Sequence, residues 1–160
     1  MPRWTDTGQM TARQAVDIPP VWLLGALVLV WLVKSNLPGL VVPSSPARIL
    51  GAVIAAAGVA LMLWAIASFR HHQTSVVPHQ TPQRLITTGP FARSRNPIYL
   101  GDILVLCGAV LWWGAWAALV LIPLFGVILQ RRFIAPEEAR MKQSFGAEFD
   151  AYAEKTPRWL

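Results

Sequence analysis

The chain has 160 residues, of which 54% are hydrophobic and 14% charged, and its formal net charge is +6. A soluble domain of this length carries roughly a quarter charged residues, so the composition argues against a soluble enzyme and predicts a membrane protein. The basic residues flank apolar runs, so we interpret the positive charge as an orientation signal and expect no nucleic-acid partner.

Three apolar segments follow a polar N-terminus. Residues 1–14 lack the pattern of a cleaved signal peptide, so we expect residues 18–33 to remain as a permanent span. Residues 49–69 form a second span of about the length that the hydrocarbon core requires. Residues 98–129 are too long for one crossing. We interpret them as a tight hairpin that turns near Gly114, with one strongly tilted helix as the alternative.

The hairpin supplies spans three and four, residues 98–112 and 115–131. The sequence therefore predicts an all-α polytopic protein, with a single membrane domain over residues 1–160 and about four transmembrane helices. A charged segment, residues 134–156, follows the last span. Its apolar residues recur at spacings of three and four, which is typical of an amphipathic helix at the membrane surface or on the bundle: they are Met141, Phe145, Phe149 and Tyr152.

The distribution of basic residues predicts the orientation. Of the 14 lysine and arginine residues, only Lys34 and Arg48 lie between the first two spans, and none lies in the hairpin turn. The positive-inside rule then places both termini and the loop of residues 74–97 in the cytoplasm. We therefore expect an integral membrane protein, of the inner membrane if the source is bacterial.

Two polar segments are attached to the two ends of the predicted hairpin. Residues 87–101 lead into the third span, and residues 131–160 leave the fourth. Because antiparallel neighbours bring those ends together, we expect the two segments to face each other across a small pocket for a polar cofactor. The facing residues would be Arg93, Arg95, Asn96 and Tyr99 on one side, and Glu137, Glu138 and Arg158 on the other.

Simpler interpretations exist for the same residues. Glu138 could pair with Lys142, four residues later on the same helix. Arg93 and Arg95 could extend to lipid phosphates. Asn96 could cap the third span, with Pro97 in its first position.

The chain resembles the isoprenylcysteine carboxyl methyltransferase and phospholipid methyltransferase superfamily in two segments. They are L-I-T-T-G-P-F-A-R-S-R-N-P-I-Y-L-G (residues 85–101) and E-E-A-R-M-K-Q-S-F-G-A-E-F-D-A-Y (residues 137–152), in the right order and spacing. The resemblance covers about the last half of the chain. It implies an integral membrane methyltransferase that uses S-adenosylmethionine as cofactor and takes its acceptor from the bilayer.

The resemblance also implies roles for particular residues. Glu137 or Glu138 would hold the hydroxyl groups or the amine of the cofactor, and Gly89 and Pro90 would shape the loop. The remaining cofactor-binding residues would be Arg95, Asn96, Pro97, Tyr99, Leu100 and Gly101. The candidate catalytic residues are Glu138, Arg158 and Arg132, with the two arginines placing the acceptor. Asn96 stands where histidine is common, and an amide takes no proton near neutral pH.

The nature of the acceptor stays open at this point. A carboxylate needs no base but needs a cation, for which Arg158 or Arg132 is suited, whereas an amine needs a base such as Glu137, Glu138 or His79. We expect a lipophilic or lipidated acceptor, contact with membrane lipids and no metal. The alternatives are an NADPH-dependent membrane reductase of related architecture and a small membrane protein without enzymatic activity. The sequence does not indicate an oligomeric state.

Overall fold

The computed structural model describes residues 18–72 and 84–160, and within these ranges it contains helices and no β-sheet. Short 3₁₀ helices cover Pro38–Leu40, Gly89–Ala92 and Trp116–Val120, and a π-helix covers Gln130–Ile134. The predicted all-α class is confirmed. Part of the loop predicted over residues 74–97, residues 74–83, lies outside the described residues. The α-helices are α1 (Pro19–Asn36), α2 (Ser45–His71), α3 (Pro97–Trp113), α4 (Leu121–Leu129), α5 (Ala135–Phe145) and α6 (Ala147–Lys155).

Three helical stretches of the described chain are long and apolar enough to cross a membrane. They are α1, α2 and the stretch Trp116–Phe145, while α3 is a shorter apolar helix of 17 residues. Large apolar side chains on the outside of the bundle, such as Leu24, Leu63 and Val120, are more than half exposed. An apolar exterior of this kind is suited to lipid rather than water, so the polytopic membrane class is confirmed.

The first two helices extend beyond their apolar runs. The side chain of Ser44 caps α2 by accepting a hydrogen bond from the Ala47 N–H at 3.3 Å, and a proline lies in the first turn. At the other end, α1 continues past Lys34 to Asn36. A span read from apolar residues alone stops at the first polar position, whereas a helix continues through polar residues until a cap or a glycine ends it.

α2 and α3 pack at very short distance through two pairs of glycines. A Cβ atom added at Gly51 would lie 2.6 Å from the carbonyl oxygen of Gly108, and one added at Gly58 would lie 2.7 Å from that of Gly101. The two glycines of each helix are seven residues apart and so share one face. Small residues at such positions let two backbones approach closely inside a membrane.

The turn between α3 and the following helix packs on the chain that joins α1 to α2. Gly114 has a φ of 64°, and the Val42 N–H donates to its carbonyl at 3.0 Å. A Cβ at Gly114 would also lie 2.6 Å from the Val42 carbonyl oxygen, so this turn requires glycine for both conformation and space. The expected hairpin turn at Gly114 is therefore present, and a single tilted helix over residues 98–129 is wrong.

The chain from Trp116 to Phe145 is one continuous helical stretch, which we call the last stretch. The sequence predicts a boundary between residues 131 and 134, but the helix passes through it as the π-helix Gln130–Ile134. Pro136 has no N–H for the α-helical ladder, and the residues just before it take the wider geometry instead of breaking the helix. The first interruption is at Gly146, with a φ of 51°, which divides the predicted helix 134–156 into α5 and α6.

The buried core lies where α1, α3 and the last stretch meet. Leu106, Leu129, Ile134 and Val30 are fully buried there, and Trp22 of α1 packs edge-on against Phe133, with ring centroids 6.5 Å apart. A second small cluster attaches the loop before α3 to the end of α2, and Phe91 contacts Phe69 in it at 5.2 Å. Both clusters bring polar segments to the amino-terminal end of α3.

Candidate functional site

The two polar segments meet at the amino-terminal end of α3, as the sequence predicts. Direct hydrogen bonds and an ion pair join residues 91–99 to residues 137–158. The meeting of the segments is thus confirmed, whereas the functional roles of their residues stay predictions. We call the residues that make the main polar contacts the polar cluster: Arg95, Asn96, Tyr99, Glu137, Glu138 and Arg158.

Glu138 is the centre of the polar cluster because two arginines bind its carboxylate. Arg95 Nη1 lies 3.1 Å from Glu138 Oε1, and Arg158 approaches with Nη2 at 2.5 Å and Nε at 3.1 Å from Oε2. The side chains of Glu138 and Arg95 are 12% and 15% exposed, so water screens this pair only weakly. The hydrogen bond to Glu138 raises the pKa of the Arg158 guanidinium, which keeps it charged.

The interpretation that Glu138 pairs with Lys142 is wrong. Lys142 instead pairs with Asp150 at 2.9 Å, across the break at Gly146, and both side chains are at least half exposed. The carboxylate of Glu138 points to the loop before α3. An exposed pair such as Lys142–Asp150 contributes little to stability, in contrast to the enclosed pair at Glu138.

Glu137 binds the adjacent helix directly. The Tyr99 hydroxyl donates to Glu137 Oε1 at 2.9 Å. The Tyr99 ring is buried and stacks on Phe133, with centroids 6.2 Å apart and planes 26° apart. This stacking holds the hydroxyl in place. The two neighbouring acids of α5 therefore have different partners, since Glu138 binds Arg95 in the loop before α3 and Glu137 binds Tyr99 within α3.

The C-terminal residues fold over the loop before α3 through several hydrogen bonds. The Arg95 N–H donates to the Pro157 carbonyl at 3.0 Å, and Asn96 Nδ2 donates to the Arg158 carbonyl at 3.1 Å. Asn96 occupies the N-cap position of α3 and Pro97 follows at its start, as expected, but the Asn96 side chain makes no capping hydrogen bond. The expected capping role is therefore wrong, because this amide is committed to the C-terminal chain.

Tyr152 contributes a further buried hydrogen bond between the same two parts. Its hydroxyl donates to the Phe91 carbonyl at 2.7 Å, and burial raises the pKa of Tyr152 well above its ordinary value. The hydroxyl therefore keeps its proton and remains a donor. From the sequence, Tyr152 is predicted only as one residue of the apolar face of an amphipathic helix, and its spacing does not predict this hydrogen bond.

We expect Tyr152→Phe to lower the free energy of unfolding by about 1–2 kcal/mol, because the buried Phe91 carbonyl loses its hydroxyl donor. Thermal unfolding followed by tryptophan fluorescence in detergent measures the change. Asn36→Ala is the matched control, since it removes a similar bond, to the Leu32 carbonyl, at an exposed site. Equal effects of the two substitutions would contradict the importance of burial.

The other predicted cofactor residues lie around the polar cluster. Gly89, with a φ of 63°, and the buried Pro90 begin the 3₁₀ turn Gly89–Ala92, while Leu100 is half-buried in the first turn of α3. Gly101 packs against Gly58 and Met62 of α2, so the structure gives it a packing role. A direct contact of these residues with a cofactor stays a prediction.

The arginines proposed to place an acceptor have different surroundings. Arg158 is bound by Glu138, as described above. Arg132 lies in the π-helix, with its guanidinium carbon 5.1 Å from the centre of the Trp22 ring, a distance typical of a cation–π contact. The structure thus brings Arg158 into the polar cluster and places Arg132 beside α1.

Sequence reasoning missed three buried polar residues, of which Thr156 directly precedes Pro157 and the other two are Ser94 and Asp102. Ser94 is 2% exposed, and its hydroxyl accepts from the Asn96 N–H at 3.1 Å. Asp102 is 3% exposed on α3, one turn beyond Tyr99. A signal was available for Asp102, because it is the only charged residue of residues 98–129. Ser94 has no such signal, because a small polar residue in a turn is ordinary.

These features define a polytopic helical membrane protein with an enclosed polar cluster at one end of its last two apolar helices. A family model described as phospholipid methyltransferase matches residues 46–148. The chain therefore belongs to the phospholipid methyltransferase family, which confirms the resemblance and makes it a membrane methyltransferase. The matched range begins in α2 and ends in α6, so α1 lies outside it.

One similar protein comes from Haemophilus influenzae and is described as an uncharacterized protein. It is 33% identical over 63 residues, a match that covers 39% of this chain and 100% of that protein. No solved structure matches the chain.

Proposed function

We propose that the protein transfers a methyl group from S-adenosylmethionine to a lipophilic acceptor. The observation that carries this proposal is the polar cluster itself. It joins paired acids and arginines within a largely buried space, and it lies where apolar helices end. A polar donor and an apolar acceptor could therefore approach the same place from two different phases.

The residues of the polar cluster fit the polar groups of S-adenosylmethionine. The Nε atom of Arg95 is buried and has no hydrogen-bond partner, so this N–H is available to the carboxylate of the donor. Glu137 and Glu138 can accept hydrogen bonds from an amine or from ribose hydroxyl groups. Acidic side chains also favour a ligand that carries a positively charged sulfonium.

When bound, S-adenosylmethionine supplies an electrophilic methyl group on its sulfonium. The task of the protein is then to hold the two reactants in line, and positioning of this kind can lower a barrier by about 7–11 kcal/mol. The hydrogen bonds from Arg95, Asn96 and Ser94 to the C-terminal chain fix the cluster for that purpose. Glu138, Arg158 and Arg132 are the proposed catalytic and acceptor-placing residues.

We further propose that the polar cluster and both termini face the cytoplasm. In the described chain, the basic residues other than Lys34 and Arg48 lie on the side of the polar cluster. The acceptor would be a prenylated carboxylate, a phospholipid or another small hydrophobic molecule that enters from the bilayer.

We expect the purified protein to bind S-adenosylmethionine and S-adenosylhomocysteine with dissociation constants of about 1–100 μM, or about 5–8 kcal/mol of binding free energy. Isothermal titration calorimetry on the full chain in detergent tests this, with NADPH as the control ligand. Binding of NADPH alone would instead favour a reductase. Binding of none of the three would favour a membrane protein without this activity.

A further inference from the structure

Residues 156–159 follow α6 without regular secondary structure and lie against the polar cluster, and we call them the C-terminal strap. The carbonyl of Arg158 accepts hydrogen bonds from Asn96 Nδ2 at 3.1 Å and from the Ser94 hydroxyl at 3.4 Å. Both donors belong to the loop before α3, and both side chains are buried. The backbone of the strap is therefore held on the polar cluster by individual hydrogen bonds from this loop.

Two side chains also attach the C-terminal strap to the bundle. The Arg158 guanidinium binds the carboxylate of Glu138, with Nε at 3.1 Å from Oε2. The Trp159 ring is partly buried and packs against the core that α1, α3 and the last stretch form. The strap thus has one polar contact in the cluster and one apolar contact beside it.

The group that would bind the carboxylate of the donor lies underneath the strap. The Nε atom of Arg95 is buried and has no hydrogen-bond partner among the described residues. The strap contacts Arg95 from two sides, because the Pro157 carbonyl accepts from its backbone N–H at 3.0 Å and Arg158 shares the Glu138 carboxylate with its guanidinium. A ligand as large as S-adenosylmethionine therefore cannot reach this atom unless a neighbouring segment moves.

The strap is the neighbouring segment that can move with the least loss of packing. Tyr99 and Glu137 lie on helices, and displacing these helices would open the buried core. The loop before α3 is fixed by Phe91, whose ring packs on Phe69 and whose carbonyl accepts from the Tyr152 hydroxyl. The strap has only the contacts described above, and segments with few buried apolar contacts open at low free energy.

We propose that the C-terminal strap is a cover of the donor site, which opens to admit S-adenosylmethionine and to release S-adenosylhomocysteine. Trp159 and the ion pair between Arg158 and Glu138 hold it closed. This inference rests on the proposed function and adds a conformational step to it. Because only the open form admits a ligand, association is slowed by the small fraction of protein in which the strap is open.

Amide hydrogen exchange measures the opening without any reaction of the enzyme. The Arg95 amide reports on the strap, since it donates to the Pro157 carbonyl at 3.0 Å. The Val42 amide is the matched control, because it donates to the Gly114 carbonyl at the same distance and at the other end of α3. S-adenosylhomocysteine at about 100 times its dissociation constant should slow exchange at Arg95 by about 100-fold, by mass action, and leave Val42 unchanged. Mass spectrometry with electron-transfer fragmentation of the full chain from nanodiscs resolves the two amides.

Trp159→Ala tests the cover through the two rate constants of ligand exchange. A weaker attachment opens the strap more often in both the free and the bound protein. We therefore expect association and dissociation of S-adenosylhomocysteine to become about tenfold faster, with the dissociation constant within about threefold, whereas loss of a ligand contact accelerates dissociation alone. Trp113→Ala is the matched control, because Trp113 is a partly buried ring on the same core at the other end of α3. Surface plasmon resonance on the immobilised full chain measures both rate constants.

Equal slowing of the Arg95 and Val42 amides, or faster dissociation without faster association in Trp159→Ala, would overturn the role of the strap as a cover. If Trp159→Ala fails to fold, hydrogen exchange of the unsubstituted protein decides. If the unsubstituted protein binds no S-adenosylhomocysteine but its Arg95 amide exchanges faster than its Val42 amide, the proposed donor is wrong and the opening of the strap stands.

Discussion

Gly108→Val lowers the free energy of unfolding by about 3 kcal/mol or more, at the upper end of what overpacking costs. A Cβ atom at Gly108 would lie 2.5 Å from the Gly51 carbonyl oxygen and 2.8 Å from the Ala55 backbone nitrogen. Both are backbone atoms of α2, so no side chain can rotate away to make room. For a chain of this length, such a loss shifts the unfolding midpoint by roughly 6–12 °C.

Gly25→Val is the control for this experiment, since it makes the same change in α1, where an added Cβ has no neighbour within 4 Å. Tryptophan fluorescence or size-exclusion chromatography of heated, detergent-solubilised protein measures both variants. If Gly108→Val melts at the same temperature as Gly25→Val, then α2 and α3 do not pack through their glycines.

Glu138→Ala is expected to have the second large effect, because it leaves two guanidinium groups without their shared carboxylate. Removing one partner of an enclosed pair costs about 3–5 kcal/mol, and we expect a value near 3 kcal/mol because Arg158 is 37% exposed. Binding of S-adenosylmethionine should also weaken by about 100-fold, since the freed Arg95 no longer has a fixed position. Calorimetry measures the loss of affinity for S-adenosylmethionine, and thermal unfolding measures the loss of stability.

Lys142→Ala is the corresponding control, because Lys142 lies on the same helix as Glu138 and its ion pair with Asp150 of α6 is exposed to water. We expect its effect on stability to be below about 0.5 kcal/mol and its donor affinity to be unchanged. Glu138→Gln is a second variant for the same measurements, because its amide oxygen still accepts a hydrogen bond while the negative charge is removed. If Glu138→Ala binds the methyl donor as tightly as Lys142→Ala does, the donor site lies elsewhere.

The sequence was sufficient to predict the helical class and the meeting of the two polar segments. Apolar runs of fixed length identify spans, and a tight hairpin at Gly114 must return the chain to the end where it began. The pairing of Arg95 with Glu138 follows from that topology, although the second partner of Glu138, Arg158, requires the C-terminal chain to fold back.

Other features depend on tertiary contacts that no local pattern encodes. The π-helix Gln130–Ile134 replaces an expected boundary, and its buried residues Phe133 and Ile134 belong to the core with α1. The Asn96 amide prefers the Arg158 carbonyl to a capping bond. Whether a lone aspartate such as Asp102 finds a partner is likewise decided by the packing of three helices, since its neighbours in the sequence are apolar.

The unbroken last stretch has a mechanical consequence. Its 30 residues would span about 45 Å, so the helix extends beyond a hydrocarbon core of about 30 Å, and its tilt follows the match between its apolar part and the surrounding lipid. No loop separates the lipid-immersed part from Glu137 and Glu138. A thicker or thinner bilayer that changes the tilt of this helix therefore moves both carboxylates relative to Tyr99 and Arg95.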